Sequence, residues 1–234
     1  MNLLLLRDED FLADGTARLA GRRLLHAREV LRAAEGDVLR VGRLGGKVGT
    51  GVVLRLSDDE LVLRCDLAEP PPARPGVDLL LAIPRPKALR RILPAAAALG
   101  VDRIVLVNAA RVEKSYFDSK VLAQVEGLLL LGLEQARDTR LPEVLVRERF
   151  RPFVEDELAA LFPDAARLLA HPGAARDPPR TDGRVLLAIG PEGGWVDFEL
   201  ALLQAHGFLP FTLGPRPLRV EVALPYALGV LARR

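Results

Sequence analysis

The amino-acid sequence predicts an α/β protein in two parts, a small β-rich N-terminal domain and a larger parallel α/β domain. Three observations carry this. A proline-dense stretch, "LAEPPPARPGVD" at 67–78, can join neither a helix nor a sheet interior and reads as a short stiff spacer. Before it, short alternating runs are broken by Gly-Gly and Asp-Asp turns, as in a small barrel. After it, unbroken apolar runs alternate with helical stretches, as in buried parallel strands covered by helices. The expected boundaries are 1–68 for the first domain, 69–76 for the linker and 77–234 for the second.

Taken in order, "TARLAGRRLLHAREVLRA" reads as a helix, and the segment from "GDVLRV" to "LVLRCDL" as short strands. In the second part "VDLLLAI" is a strand and "ALRRILPAAAALG" a helix ending at Gly100; "VDRIVLVNA" is the next strand, followed by a long helix over about 120–134. "EVLVRERF", "ARLLAHP" and "RVLLAIG" are further strands, with a helix over about 154–161 between the first two. "FELALLQAHG" is a helix closed by Gly207. "FLPFTLG" is a last strand, and "VALPYALGVLARR" a terminal helix with Pro225 expected in its first turn. In such sheets ligands sit at the carboxyl ends of the strands.

Composition narrows the function. Half of the 234 residues are apolar and no stretch approaches the apolar length of a membrane helix, so a cytoplasmic protein is expected. The lone cysteine, Cys65, excludes internal disulfides and sits in a strand-like run, as a packed residue rather than a nucleophile. His26, His171 and His206 are scattered without metal-ligand spacing, so no metal site is expected. The net charge of +2 is uninformative, but of 33 basic residues only Lys47, Lys87, Lys114 and Lys120 are lysines. Arginine suits phosphate recognition, yet the same bias follows from GC-rich coding, so only local clusters count.

Two glycine loops stand out. "IGPEGGW", residues 189–195, lacks both the dinucleotide fingerprint and the phosphate-binding lysine loop. A carboxylate, Glu192, in its middle would repel a phosphate, and Pro191 removes a donor. Glu192 suits ribose hydroxyls, a cationic ligand, or loop N–H groups; alternatively the glycines only allow a tight turn. "LGPRPLRVEVALP", residues 213–225, again leaves a strand through glycine and carries Arg216, Arg219 and Glu221. Together the loops make plausible walls of one pocket.

The joint pattern "IGPEGGWVDFEL…GFLPFTLGPRPLRVEVALPYAL" resembles the C-terminal signature of the bacterial family that methylates N3 of a uridine in 16S ribosomal RNA, among the SPOUT methyltransferases. "HAREVLRAAEGDVLRV", "LEQARDTRLPEV" and "RLLAHP" extend the resemblance over nearly the whole chain. It implies an N-terminal PUA-like β-barrel and a C-terminal SPOUT α/β domain with a trefoil knot, a homodimer, and S-adenosylmethionine held in the knot. Val222, Pro94, Ala98 and Asp138 depart from the family pattern.

The resemblance assigns cofactor contacts to Leu169, His171, Ile189, Gly190, Glu192, Gly193, Gly194, Leu213, Gly214 and Leu218, although His171 also reads as a turn residue before Pro172. Methylation at N3 requires loss of a proton. Arg219 is the candidate to stabilise the resulting negative charge, and Glu221 to orient Arg219 or take the proton. The same pair could instead be an intra-loop salt bridge. RNA phosphates would explain two basic clusters, Arg22, Arg23, Arg28 and Arg32 on the N-terminal helix, and Arg85, Lys87, Arg90 and Arg91 in a helix's first turns; solvated arginines remain the plain alternative. The expected function is S-adenosylmethionine-dependent methylation of 16S rRNA in the small ribosomal subunit. A non-catalytic RNA-binding or ribosome-assembly protein, or an enzyme acting on another RNA, are the alternatives.

Overall fold

The computed structural model of the chain describes residues 3–231. It forms two compact units: residues up to Ala73 together with Leu130–Leu141, and Arg74–Leu129 together with the residues from Pro142 onward.

The first unit is a five-stranded sheet of β1 (Leu4–Leu6), β2 (Thr16–Leu19), β3 (Val38–Arg43), β4 (Val48–Leu56) and β5 (Leu61–Glu69), in the order β1-β3-β4-β5-β2. β1 runs parallel to β3 and the other pairs are antiparallel. Among the described residues the edge strands β1 and β2 do not pair with each other, so the expected small barrel is instead an open, curled sheet. Two register shifts between β4 and β5 supply the bend. Gly49 sits at one of them, where a Cβ would stand 1.9 Å from the Asp66 carbonyl oxygen, so no side chain fits. Leu4, Leu6, Leu19, Val41, Leu61 and Leu63 fill the core, and half-buried Cys65 packs against it.

The expected N-terminal helix is two elements. Ala17 and Leu19 are buried while Arg18 is exposed, the period-two pattern of β2, which pairs with β5. Gly21, at φ 58°, turns the chain into a short helix, α1 (Gly21–Leu25), continued by a π-turn over His26–Val30. Arg32 lies past this helix at φ 51°, so Arg28 and Arg32 do not share a helical face. The segment Leu130–Leu141 completes the unit: Leu3 donates its N–H to the Glu134 carbonyl (2.9 Å), Gly45 to that of Thr139 (2.7 Å), and the Arg22 guanidinium forks onto the Glu134 carboxylate at 2.7 and 3.0 Å.

The second unit is a six-stranded, wholly parallel sheet of β6 (Val77–Ala82), β7 (Arg103–Val107), β8 (Glu143–Arg147), β9 (Ala166–Ala170), β10 (Val185–Ile189) and β11 (Leu209–Phe211). Its order is β11-β9-β10-β6-β7-β8. β6 and β10 are buried along their whole length, as unbroken apolar runs require. Its helices are α2 (Pro86–Ala98), the start of α3 (Val125–Ala136), α4 (Phe150–Pro152), α5 (Leu158–Leu161), α6 (Asp197–Ala205) and α7 (Val220–Leu231), with a π-turn between α4 and α5. α7 packs against α2. It begins earlier than expected because the Arg219 carbonyl already accepts the N–H groups of Val222 and Ala223. Pro225 therefore stands inside the helix rather than in its first turn.

Candidate functional site

Three neighbouring strands, β11, β9 and β10, end side by side, and their carboxyl-end loops enclose a cavity of about 500 Å³. β9 contributes Ala170, His171 and Pro172; the loop after β10 contributes Ile189 to Trp195; the loop after β11 and the start of α7 contribute Leu213 to Ala223; Arg111 arrives from beyond β7.

The loop after β10 is a tight turn closed by the Gly194 N–H on the Pro191 carbonyl (2.8 Å), with Gly194 at φ 73°. Trp195 follows, 4% exposed, its ring 5.4 Å from that of Phe150. It leaves no room at Gly190, where a Cβ would stand 3.0 Å from the indole Cδ1 and Nε1. Arg111 clamps the same loop: its Nη1 donates to the Gly193 carbonyl, and a Cβ on Gly193 would stand 3.0 Å from its Cδ. Beneath them buried Glu199 accepts the N–H of Ala110 (2.6 Å) and of Val196 (3.0 Å), tying the Arg111 loop to the start of α6. In the loop after β11, Thr212 Oγ1 accepts the Gly214 N–H at 3.1 Å.

Glu192 has a protein partner. Its Oε1 accepts the backbone N–H of Arg85 (3.2 Å), with the Arg85 Nε 3.6 Å away. It thus fastens the glycine loop to the entry of α2. Burial, together with the Glu113 and Glu192 carboxylates, holds the nearby Tyr116 phenol above its usual range.

Of the residues singled out in the sequence, His171, Ile189, Gly190, Glu192, Gly193, Gly194, Leu213, Gly214, Leu218 and Arg219 all line this cavity. Leu169 does not: strand alternation turns it into the fully buried layer, and its neighbour Ala170 lines the wall instead. His171 serves its turn as well, its Nδ1 accepting the Gly173 N–H at 3.1 Å. Glu221 lies off the lining and faces Arg91 of α2 at 3.8 Å rather than Arg219, so an Arg219–Glu221 salt bridge is not formed. The sequence reading missed Arg111 and Trp195. Arg111 has no motif around it, but it follows a strand at the end of the sheet where ligands bind.

The basic clusters are partly committed. Arg22 is held by Glu134, which keeps its guanidinium above the usual range through that hydrogen bond. Arg23 donates to Asp10 and to the Leu5 carbonyl, and Arg28 meets Asp58 at 2.9 Å. Lys87, Arg90 and Arg91 are exposed on α2, with Arg85 just before it. Among the described residues no cluster of histidine, cysteine and carboxylate side chains could hold a metal ion, and no helix is long and apolar enough to cross a membrane.

The model of the RNA methyltransferase domain matches residues 71–232. The chain is 33% identical to the ribosomal RNA small subunit methyltransferase E of Treponema pallidum, over 99% of this chain and 90% of that one. To its counterpart in Mycobacterium bovis it is 29% identical, over 88% and 82%. Among solved structures, a Legionella pneumophila methyltransferase in complex with bound SAM superposes with a TM-score of 0.81 at 26% identity, covering 99% and 96%. The three strand-end loops and their glycines lie within the matched region, and the chain belongs to the RNA methyltransferase family.

Proposed function

We propose that the protein transfers a methyl group from S-adenosylmethionine to N3 of a uridine in 16S ribosomal RNA. The carrying observation is the cavity itself: apolar walls from Ile189, Leu213 and Leu218, backbone brought close by Gly190 and Gly193, and a glycine loop without the phosphate-binding pattern. Its residues fit a nucleoside cofactor without phosphates. Pro191 removes a donor where an anion would need one, and the buried Trp195 Nε1, in the wall, has no hydrogen-bond partner. The names of the curated relatives and the SAM-bound Legionella structure support the same reading.

When bound, the cofactor supplies an activated methyl group. The chain's own task is alignment and charge. The loops after β10 and β11 would hold the cofactor's nucleoside between backbone and the side chains of Ile189, Leu213 and Leu218, shielding it from water. Arg219, exposed at the wall, stabilises the negative charge that develops on the uracil. Glu221, off the cavity lining with Arg91 facing its Oε1 and its Oε2 buried, is assigned to positioning the start of α7 beside Arg219 rather than to taking the N3 proton.

Finer features of the reading follow the family resemblance. We assign a trefoil knot to the second unit, supported by α7 returning to pack on α2 after β11 at the sheet edge. A PUA-like role in holding RNA is assigned to the first unit, with Arg28, Arg32 and the α2 cluster Arg85, Lys87, Arg90 and Arg91 as phosphate contacts. A homodimer is supported by Val222 and Tyr226, 49% and 51% exposed one turn apart on α7. The setting is cytoplasmic, with the small ribosomal subunit as partner.

Deleting the gene and mapping modified nucleosides in 16S rRNA tests the substrate: loss of one N3-methyluridine, restored by the wild-type gene, is expected. An unchanged 16S modification with loss elsewhere points to another RNA. Calorimetry with S-adenosylmethionine tests the enzyme reading, and absence of binding would return it to a non-catalytic RNA-binding protein.

A further inference from the structure

The cavity holds more positive charge than its cofactor can neutralise. Arg111, Arg216 and Arg219 line it, all three exposed. Among the described residues the only carboxylate in the lining, Glu192, is already engaged by Arg85. Among the described residues none of the three arginines has a carboxylate partner, and the one hydrogen bond their side chains make is from Arg111 to the Gly193 carbonyl. S-adenosylmethionine carries a sulfonium, an ammonium and one carboxylate, a net positive charge. Bound alone, it leaves the surplus in place.

We propose that Arg111 and Arg216 form a clamp for one RNA phosphate beside the target uridine, distinct from the charge-stabilising role of Arg219. Arg111 is built for this. Its stem packs on Gly193, where even a methyl group would press on its Cδ, and its anchored Nη1 fixes the guanidinium plane. The remaining N–H groups of that fork have no partner among the described residues, and a planar fork held in advance loses little entropy on meeting a phosphate. Arg216, between Pro215 and Pro217, is carried on a stretch of restricted backbone. The clamp rests on the methyltransferase reading and adds a consequence: RNA and cofactor cooperate electrostatically, because each brings charge that the other's site lacks.

The test uses the full-length protein, a fluorescent single-stranded RNA carrying the target uridine, and S-adenosylmethionine. Arg216→Gln and Arg111→Gln are each expected to weaken RNA binding about fivefold to tenfold and to lower the slope of log K against log salt by ~0.7. For Arg216→Gln, affinity for S-adenosylmethionine in calorimetry should stay within about twofold of wild type, since this arginine holds phosphate and anchors no loop. Arg111→Lys, which keeps charge but not the fork, should restore the salt slope while recovering only part of the affinity. Unchanged RNA affinity and slope in both glutamine variants would overturn the clamp. So would a loss confined to S-adenosylmethionine binding, which would assign the arginines to the cofactor's carboxylate. Because Arg216 makes no described hydrogen bond, its variant stays informative even if loss of Arg111 loosens the glycine loop. Failure of the wild-type protein to bind S-adenosylmethionine at all would overturn the methyltransferase reading and the clamp with it. A wild type that methylates while both variants bind RNA normally would remove the clamp alone.

Discussion

The two ends of the parallel sheet handle charge in opposite ways. At the amino ends of β6, β7 and β10, Asp78 is fully buried and accepts from Arg184 at 2.9 Å and from Arg103 at 3.4 Å. Arg184 also reaches Asp102 at 3.3 Å, Asp102 meets Arg74 at 3.1 Å, and the Arg103 guanidinium stacks 4.4 Å over the Phe162 ring. Each of these five charges is answered within the chain. At the carboxyl ends the arginines face a cavity, a tryptophan N–H is buried without a partner, and the glycines hold backbone open. A closed set of charges fastens strands together; an open set stabilises only what binds to it. The same sheet thus divides stability and function between its two ends.

That division can be broken by experiment. The largest effect is expected from Asp78→Ala, which strips Arg103 of its carboxylate and leaves Arg184 only Asp102. Removing one partner of a buried ion pair costs about 3–5 kcal/mol, and because the Arg103 and Arg184 side chains are 26% and 46% exposed the lower end, about 3 kcal/mol, is expected as a fall in the urea midpoint. The protein that remains folded should bind S-adenosylmethionine as wild type does; lost affinity there would mean that the two ends are coupled. Arg219→Ala should show the converse. Its turnover is expected to fall about 100- to 1,000-fold, as when one oxyanion donor is removed, at an unchanged urea midpoint. A full-activity variant would take Arg219 out of the chemistry.

Gly190→Ala sharpens the comparison at the wall of the cavity. The added methyl would press on Trp195, and overpacking of this kind costs about 1–3 kcal/mol. Trp195 is the only tryptophan in the chain, so its fluorescence reports the displacement directly. In the wild type that emission should change when S-adenosylmethionine is added, and in the variant the response should weaken. Emission indifferent to the cofactor would place the nucleoside away from this wall. The smallest effect belongs to the first unit. Burial pushes the Cys65 thiol up to about 11, so iodoacetamide at pH 8 should modify it far more slowly than after unfolding.

Much of the functional end was legible because its signals are local. Apolar runs announce β6 and β10, and glycine spacing marks both loops that wall the cavity. The fastening end was not. Asp78 looks like a lone polar residue in an apolar strand, and its partners lie 25 and 106 residues away. Arg111 was silent for the same reason, its contact with Gly193 spanning 82 residues. β2 was absorbed into a helix because four residues of alternation are too short to outweigh the helical stretch that follows. Glu221 was paired by proximity with Arg219, whereas its helical position turns it toward Arg91.

The first unit takes its last piece from far along the chain. Leu3, Arg22 and Gly45 all bond to residues of Leu130–Leu141, and Gly42 leaves space that Thr139 fills, its Cγ2 lying 2.6 Å from where a Cβ would be. During synthesis this unit cannot close when its own strands have left the ribosome; it must wait until the middle of the second unit has been made. Proteolytic or recombinant fragments cut at the proline stretch would carry all five strands and still lack the staple, with the Arg22 guanidinium deprived of its carboxylate. The cut that respects the fold is not the cut that the prolines suggest.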